Sequence, residues 1–158
     1  MDKLTLRERT AEHVRLYFEK TKDAQIRAML PPGSATVEEA LEKYALTQRA
    51  GADSYGRTVY LGERYIGDVW CYCMDRAEDP QAMLSYCLFE KDCWGKGLTT
   101  QAVKEFLKEV EARFGLTRIG AFTFLDNTPS IRVLEKNGFA LVERFDEDGR
   151  RSGYYCKE

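Results

Sequence analysis

The sequence predicts an α/β (α+β) domain built around a mixed sheet of about seven strands. Three observations carry that expectation. Strand-like and helix-like patterns follow one another in the order strand, two helical segments, three strands, helix, strand, helix, two strands. Residues 98–114 place Leu98, Ala102, Val103, Phe106, Leu107, Val110 and Phe114 at spacings of three and four, the period of one helix face. That helix joins the apolar runs 83–89 and 118–125, so these two strands are predicted to be parallel neighbours.

Each element has a local cause. Residues 3–9, KLTLRER, alternate with Leu4 and Leu6 on one face, a first strand. Thr10 is placed to cap a helical region that carries Val14, Leu16, Tyr17 and Phe18. Pro31-Pro32-Gly33-Ser34 breaks the chain. Thr36, with Glu39 three residues on, predicts a capping box for a second helical region holding Val37, Ala40, Leu41, Tyr44, Ala45 and Leu46. Strands are predicted at 54–61 and 65–73, around a Gly62-Glu63-Arg64 turn, and at 83–89. Gly115 ends the long helix. Thr128 as cap with Pro129 at the first helical position predicts a short helix, closed by Asn137-Gly138-Phe139. Strands 139–145 and 151–157 flank an Asp148-Gly149 turn.

Composition narrows the function classes. The chain has 158 residues, the size of one domain, and no linker or repeat divides 1–158. Its 24 basic and 26 acidic residues give a net charge of −2, which argues against a nucleic-acid partner. No apolar run approaches the ~20 residues of a membrane span. The opening MDKLTLRERT is charged, unlike a signal peptide, so a cytoplasmic location is expected. The five cysteines are an odd number without a CxxC spacing, which suits free thiols in a reducing compartment. With His13 as its one histidine, the chain is expected to bind no metal.

Residues 92–103, DCWGKGLTTQAV, set Gly95 and Gly97 where the long helix must start. Glycine lacks the side chain that usually caps such a start. A strand leading through Gly-x-Gly into a helix is an anion-binding arrangement, since the first helical N–H groups have no internal partner and glycine lets a phosphate approach the backbone. Lys96 adds a positive charge, and Thr99 and Thr100 add hydroxyls. A plain tight turn is the competing reading. The phosphate loop G-x-x-x-x-G-K-[ST] is absent, and Thr100 stands where the dinucleotide fingerprint needs its third glycine. No carboxylate pair for Mg²⁺ accompanies the segment, which weakens a nucleotide-dependent reading.

Two stretches, SYCLFEKDCWGKGLTTQAV (85–103) and DNTPSIRVLEKNGFALVER (126–144), carry a family likeness. With the looser LTLRERTAEHVRLYFE (4–19), they make the chain resemble the GNAT family of acyl-CoA-dependent N-acetyltransferases, in the branch that includes ribosomal-protein N-terminal acetyltransferases. The resemblance spans nearly the whole chain. It implies a single N-acetyltransferase domain with a mostly antiparallel sheet, helices on both faces, and a central parallel pair splayed for acetyl-CoA. It implies that the pantetheine arm adds to open backbone near Cys87, Leu88 and Phe89. The pyrophosphate would sit on the N–H groups of Trp94, Gly95, Lys96, Gly97, Leu98 and Thr99. Asn127 would reach the pantetheine, and Ser130 the cofactor sulfur. Arg132 and Lys136 are assigned to solvent.

The implied reaction is direct attack of an amine on the thioester of acetyl-CoA. The Leu88 backbone N–H would face the oxyanion and Ser130 would donate a proton to the departing thiolate. Many members use a Tyr seven positions after the Asn; Leu134 occupies that place. Some carry Glu where Phe122 stands. Glu90, Asp68 and Tyr86 are the other candidates for general base, and none is preferred. Tyr55, Tyr60, Trp70, Tyr72 and Phe122 are candidates for the acceptor side, with core packing the expectation for most. Cys87 and Cys93 fall near the cofactor without a His to activate them, so a cysteine nucleophile is not expected.

The resemblance therefore implies an N-acetyltransferase whose partners are acetyl-CoA and a primary amine, either a protein N-terminus or a small molecule. A non-catalytic CoA-binding module of the same fold is the alternative. A homodimer is a further partner that the family allows. Asp92 departs from the family pattern, since a carboxylate beside a diphosphate is unfavourable unless it turns away.

Overall fold

The long helix α4 (Leu98–Phe114) forms where its apolar period predicts, and it buries Ala102, Val103, Phe106, Leu107 and Val110. Gly115 stops it in the left-handed conformation, φ 65°. In the computed structural model, which describes residues 2–158, the remaining helices are α1 (Ala11–Lys20), α2 (Ala24–Arg27), α3 (Val37–Thr47) and α5 (Thr128–Lys136). The strands are β1 (Leu4–Glu8), β2 (Tyr55–Leu61), β3 (Arg64–Asp75), β4 (Gln81–Leu88), β5 (Arg118–Phe124), β6 (Ala140–Glu147) and β7 (Arg150–Lys157). They form one sheet in the order β1-β2-β3-β4-β5-β7-β6. Every neighbouring pair is antiparallel except β4 and β5, as the crossover through α4 requires.

Alternation along the strands gives the sheet two faces. Val69, Cys71 and Tyr55 lie towards α4, where Tyr55 stacks 6.1 Å from Phe106. Asp68, Trp70 and Tyr72 lie towards α1, where Tyr17 meets Trp70 edge-on at 6.1 Å. The main core sits under α4 and α5, and a smaller cluster of Ile26, Cys87 and Phe89 sits on the other face.

The parallel pair is short. β4 and β5 pair only at Gln81↔Arg118, Ala82↔Ile119 and Met83↔Gly120. Beyond these, β4 stays on β3 as far as Leu88↔Gly67, and β5 stays on β7 as far as Phe124↔Ser152. The two strands therefore diverge towards their C-terminal ends. Gly67 permits the close approach, since a Cβ there would lie 2.2 Å from the Cys87 carbonyl oxygen.

Several local expectations are refined. The Thr36 hydroxyl accepts from Glu39 N–H, but the Glu39 carboxylate accepts from Ala35 N–H, one residue before the reciprocal capping-box position. The cap of α5 is Asn127, not Thr128, because the Asn127 Oδ1 reaches Ser130 N–H; Thr128 and Pro129 become the first helical residues. The Asn137-Gly138-Phe139 stop forms as predicted, with Gly138 at φ 89° and Phe139 N–H donating to Leu134 at 3.0 Å. The short α2, capped by Asp23, is absent from the sequence reading. α3 buries no residue completely, and Leu16 and Leu46 remain exposed.

Asp68 is a charged group in the buried layer. It is 1% exposed, lies 3.2 Å from Arg9 Nε, and accepts from the Tyr65 hydroxyl at 2.6 Å. Neither Arg9 Nε nor Asp68 Oδ2 has a hydrogen-bond partner of good geometry, so the pair is close but misaligned. Desolvation outweighs the Arg9 guanidinium and the Tyr65 bond, and it pushes the Asp68 carboxyl up to about 6 from its usual 3.8. A carboxyl raised on folding contributes most favourably below its unfolded range, and that contribution is lost as pH rises through the folded value. Asp68→Asn has no such titration. Between pH 4 and 7 the wild type is expected to lose melting temperature relative to Asp68→Asn. A difference that stays flat across that range would overturn the assignment.

Candidate functional site

The divergence of β4 and β5 leaves backbone groups without partners. Phe89 N–H donates to Ile66 at 2.9 Å. By strand alternation Cys87 also turns its backbone towards β3, and Tyr86 and Leu88 turn theirs towards the gap. On the other wall Leu125 N–H donates to Arg151 at 2.9 Å, so Phe122 and Phe124 face the gap. Two of these groups are engaged locally: the Leu88 carbonyl accepts from the Trp94 indole at 2.8 Å, and the Phe124 carbonyl accepts from Asn127 N–H at 3.0 Å. Open donors and acceptors remain at Tyr86 and Phe122, with open N–H groups at Leu88 and Phe124. The expectation of open backbone at 87–89 is thus corrected to Tyr86 and Leu88, because Phe89 N–H completes the ladder with β3.

The glycine segment follows directly. A single 3₁₀ turn (Lys91–Cys93) leads from β4 to Gly95 and Gly97, at φ 74° and 76°. Gly97 is the cap residue of α4, and no side chain caps this helix. The first intrahelical bond is Gln101 N–H to Gly97 at 3.1 Å, so the N–H groups of Leu98, Thr99 and Thr100 have no partner within the helix. Trp94 N–H is engaged by Lys91 and leaves the predicted cradle. A Cβ at Gly95 or Gly97 would touch nothing within 4 Å, so the left-handed backbone is what demands glycine at both positions.

Asp92 does turn away. Arg64 holds it with two bonds of 2.8 Å and holds Glu90 at 2.9 Å. The Arg64 guanidinium keeps the Asp92 carboxyl below its ordinary range. Glu90 also pairs with Lys20 at 3.2 Å. Neither carboxylate lines the cavity, and neither does Asp68. Glu90 and Asp68 are therefore held in ion pairs outside the cavity lining.

The cavity has a volume of about 1000 Å³ and runs through the gap from one face of the sheet to the other. On the α4 side it is lined by Leu98, Thr99, Thr100, Asn127, Arg132 and Lys136. Arg132 and Lys136, assigned to solvent from the sequence, have no ion-pair partner among the described residues and face the same space as the α4 N–H groups. On the α1 side the walls include Tyr72 and Phe122, and also Phe145, Glu147 and Arg150 from the β6–β7 hairpin. The last three had no local signal in the sequence, since only the sheet order brings them here. The other predicted aromatics pack elsewhere: Trp70 on Tyr17, Tyr60 on Tyr65, and Tyr55 on Phe106 with its hydroxyl on Glu109.

At the centre, the Ser130 and Tyr86 hydroxyls lie 2.8 Å apart, and the Tyr86 oxygen is also 3.1 Å from the Ser130 carbonyl, so its single proton serves the Ser130 hydroxyl or that carbonyl. Burial pushes the Tyr86 phenol up to about 12, so it stays protonated and is no base. Cys87 lines the cavity too, but burial pushes its thiol up to about 12 as well. Leu134 is fully buried in the core. Among the described residues no group of three or more His, Cys, Asp and Glu is placed to hold a metal, and no helix is long and apolar enough to cross a membrane.

Residues 3–140 match the family model described as an acetyltransferase (GNAT) domain. The chain is similar to the human alpha/beta-tubulin-N-acetyltransferase 9, at 28% identity over 148 residues, covering 84% of this chain and 70% of that protein. Among solved structures, it is similar to the ribosomal L7/L12 alpha-N-protein acetyltransferase RimL in complex with coenzyme A, with a TM-score of 0.82 at 18% identity, covering 98% of this chain and 93% of that one. It is also similar to an aminoglycoside acetyltransferase in complex with paromomycin and acetyl-CoA, with a TM-score of 0.81 at 21% identity, covering 99% and 93%. At these identities the two structures establish a shared fold.

The thiol environments give a direct check. Cys73 is exposed and Cys156 half-buried, whereas Cys71, Cys87 and Cys93 are buried. A disulfide reagent at pH 8 should therefore modify Cys73 first and leave Cys87 unmodified until the protein is denatured. Rapid labelling of Cys87, read by peptide mass, would contradict an inert buried thiol.

Proposed function

The chain belongs to the GNAT acetyltransferase family, and on that premise we propose that it is an N-acetyltransferase that moves an acetyl group from acetyl-CoA to a primary amine by direct attack in a ternary complex. The observation that carries this reading is the junction of the β4–β5 gap with an uncapped α4 N-terminus. A pantetheine arm is a chain of amides, which suits the open backbone of Tyr86 and Leu88. A diphosphate suits the free N–H groups of Leu98, Thr99 and Thr100, at the positive end of the α4 dipole. Arg132 and Lys136 supply further positive charge on the same wall.

Acetyl-CoA supplies the activated acyl group, and the chain's residues supply position and charge stabilisation. Leu88 N–H points into the gap, where it is placed to stabilise negative charge developing on the acyl oxygen. Asn127 has its Oδ1 committed to the α5 cap, which leaves its amide N–H groups for the pantetheine. Ser130 donates towards the departing sulfur. Tyr86, held protonated by burial, fixes the Ser130 hydroxyl from behind.

One observation favours a second reading, a CoA-binding module without turnover. Asp68 and Glu90 are held in ion pairs away from the cavity, and burial disfavours the Tyr86 phenolate that would have to act as a base. A screen of amines separates the readings. Binding of acetyl-CoA with no CoA release to any peptide, polyamine or aminoglycoside would favour the module.

Two variants test the catalytic reading. Acetyl-CoA at a hundredfold excess over its Kd should stabilise the parent by about 2.7 kcal/mol. Gly97→Asn keeps a residue that tolerates the left-handed backbone but puts a side chain at the cradle. It should fold and lose most of that stabilisation; an undiminished shift would sink the cradle. Ser130→Ala should lower kcat roughly 10²-fold with KM for acetyl-CoA nearly unchanged, in the range of one positioned proton donor. An unchanged kcat would remove Ser130 from the reaction.

A further inference from the structure

We infer that the amine acceptor is the α-amino group of a peptide whose first residue carries a large apolar side chain. This rests on the acetyl-transfer reading above and specifies the acceptor half of the same cavity. Three independent features of the α1-side wall point to it.

The first is the wall's surface. Met29, Leu30 and Pro31, from the segment after α2, stand in one cavity with Tyr72, Phe122 and Phe145 from the sheet. Phe122 packs edge-on against Phe145 at 5.8 Å and at a 45° tilt against Tyr154 at 5.4 Å, yet it remains 54% exposed. An exposed phenyl inside a concave apolar wall is a surface for a hydrophobic side chain.

The second is the charge on that wall. Its carboxylates are Asp126 and Glu147. Arg150 neutralises Asp126 at 3.1 Å, and its other end donates to the Ala28 carbonyl at 2.6 Å, tying the Met29–Pro31 segment to the hairpin. Glu147 has no ion-pair partner among the described residues. One uncompensated carboxylate matches one ammonium group. It does not match the several cations of a polyamine or an aminoglycoside, for which each further charge would lack a partner.

The third is the β5 backbone. Phe122 offers an N–H and a C=O to the gap, and Phe124 offers an N–H. A peptide brings amides that can pair with these groups. An arylalkylamine of the same apolar size brings none.

The test uses the full chain with acetyl-CoA and peptides that differ only in their first residue. Phenethylamine, spermidine and an aminoglycoside complete the panel. CoA release gives kcat/KM. Calorimetry with desulfo-CoA, which cannot transfer an acetyl group, gives peptide binding separately. Peptides beginning with Met, Leu or Phe should exceed those beginning with Ser, Asp or Lys by about tenfold or more, the scale of discrimination an apolar pocket reaches. Phenethylamine should fall below the apolar-first peptides. Phe122→Ala should erase the preference mainly through KM. Glu147→Gln should weaken every amine while leaving the order among first residues intact.

Turnover in which spermidine, the aminoglycoside or phenethylamine outranks every peptide overturns this inference and leaves acetyl transfer standing. The same holds if polar-first peptides are preferred. Selective binding of apolar-first peptides without CoA release overturns the catalytic reading and supports the recognition. Loss of both binding and turnover across the panel overturns both.

Discussion

The constraint on which this molecule depends is the early end of pairing between β4 and β5. Three residues of register, Gln81 to Met83 against Arg118 to Gly120, hold the two halves of the sheet together. After that the strands part, and backbone groups that a continuous sheet would pair are left open. Such groups are costly to bury without partners, so the gap persists only because each strand is anchored on its other side. β3 holds β4 as far as Phe89, and β7 holds β5 as far as Leu125. Gly67 marks where that anchoring is tightest, because any side chain there would drive β4 off β3 and into the gap.

The same economy of partners shapes the electrostatics of the glycine segment. Asp92 and Glu90 put two carboxylates close to a helix start suited to an anion, which would normally repel one. Arg64 resolves the conflict by binding both carboxylates from the start of β3, with Lys20 on the far side of Glu90. These pairs are exposed, so their contribution to stability is small. Their effect is geometric: they turn negative charge outward and leave Arg132, Lys136 and the α4 N–H groups as the charges on the α4 side of the cavity.

The sequence made the scaffold legible where one signal was strong and local. The α4 period with Gly115, the Asn137-Gly138-Phe139 stop and the β4–α4–β5 crossover all appear as read. Single-residue ambiguities were harder. Asn127 and Thr128 are both good caps, and Pro129 fits either of the first two helical positions, so only the Asn127–Ser130 bond decides. The four residues of α2 are too few to show a helical period. Arg132 and Lys136 read as solvated charges because their role depends on α5 lying beside the α4 start, where the Asn137 amide donates to the Thr100 carbonyl at 3.3 Å. Phe145, Glu147 and Arg150 were invisible for the same kind of reason. Nothing in the local chemistry of the edge hairpin DEDGRR (146–151) says which cavity it will border; the strand order β5-β7-β6 says it.

That strand order also bears on how the proposed reaction would proceed without Asp68, Glu90 or Tyr86 as its base. The position where the family resemblance leads one to expect a helix tyrosine is Leu134, wholly inside the core, and leucine brings no hydroxyl. In the proposed reaction the hydroxyl would come instead from Ser130 on α5, with Tyr86 on β4 2.8 Å behind it, on the α4 side. The amine would enter from the opposite face, past Phe122 and under Glu147, where the cavity is open to water and a proton can leave to solvent. The two proton tasks of acyl transfer are thereby separated across the sheet. On one side a buried phenol, its acidity lowered by burial, would back the hydroxyl that meets the leaving group. On the other, solvent can take the proton of the attacking amine. With this separation no single residue must serve as both acid and base, and what the fold must supply is the distance and direction between two ligands held on opposite lips of one gap.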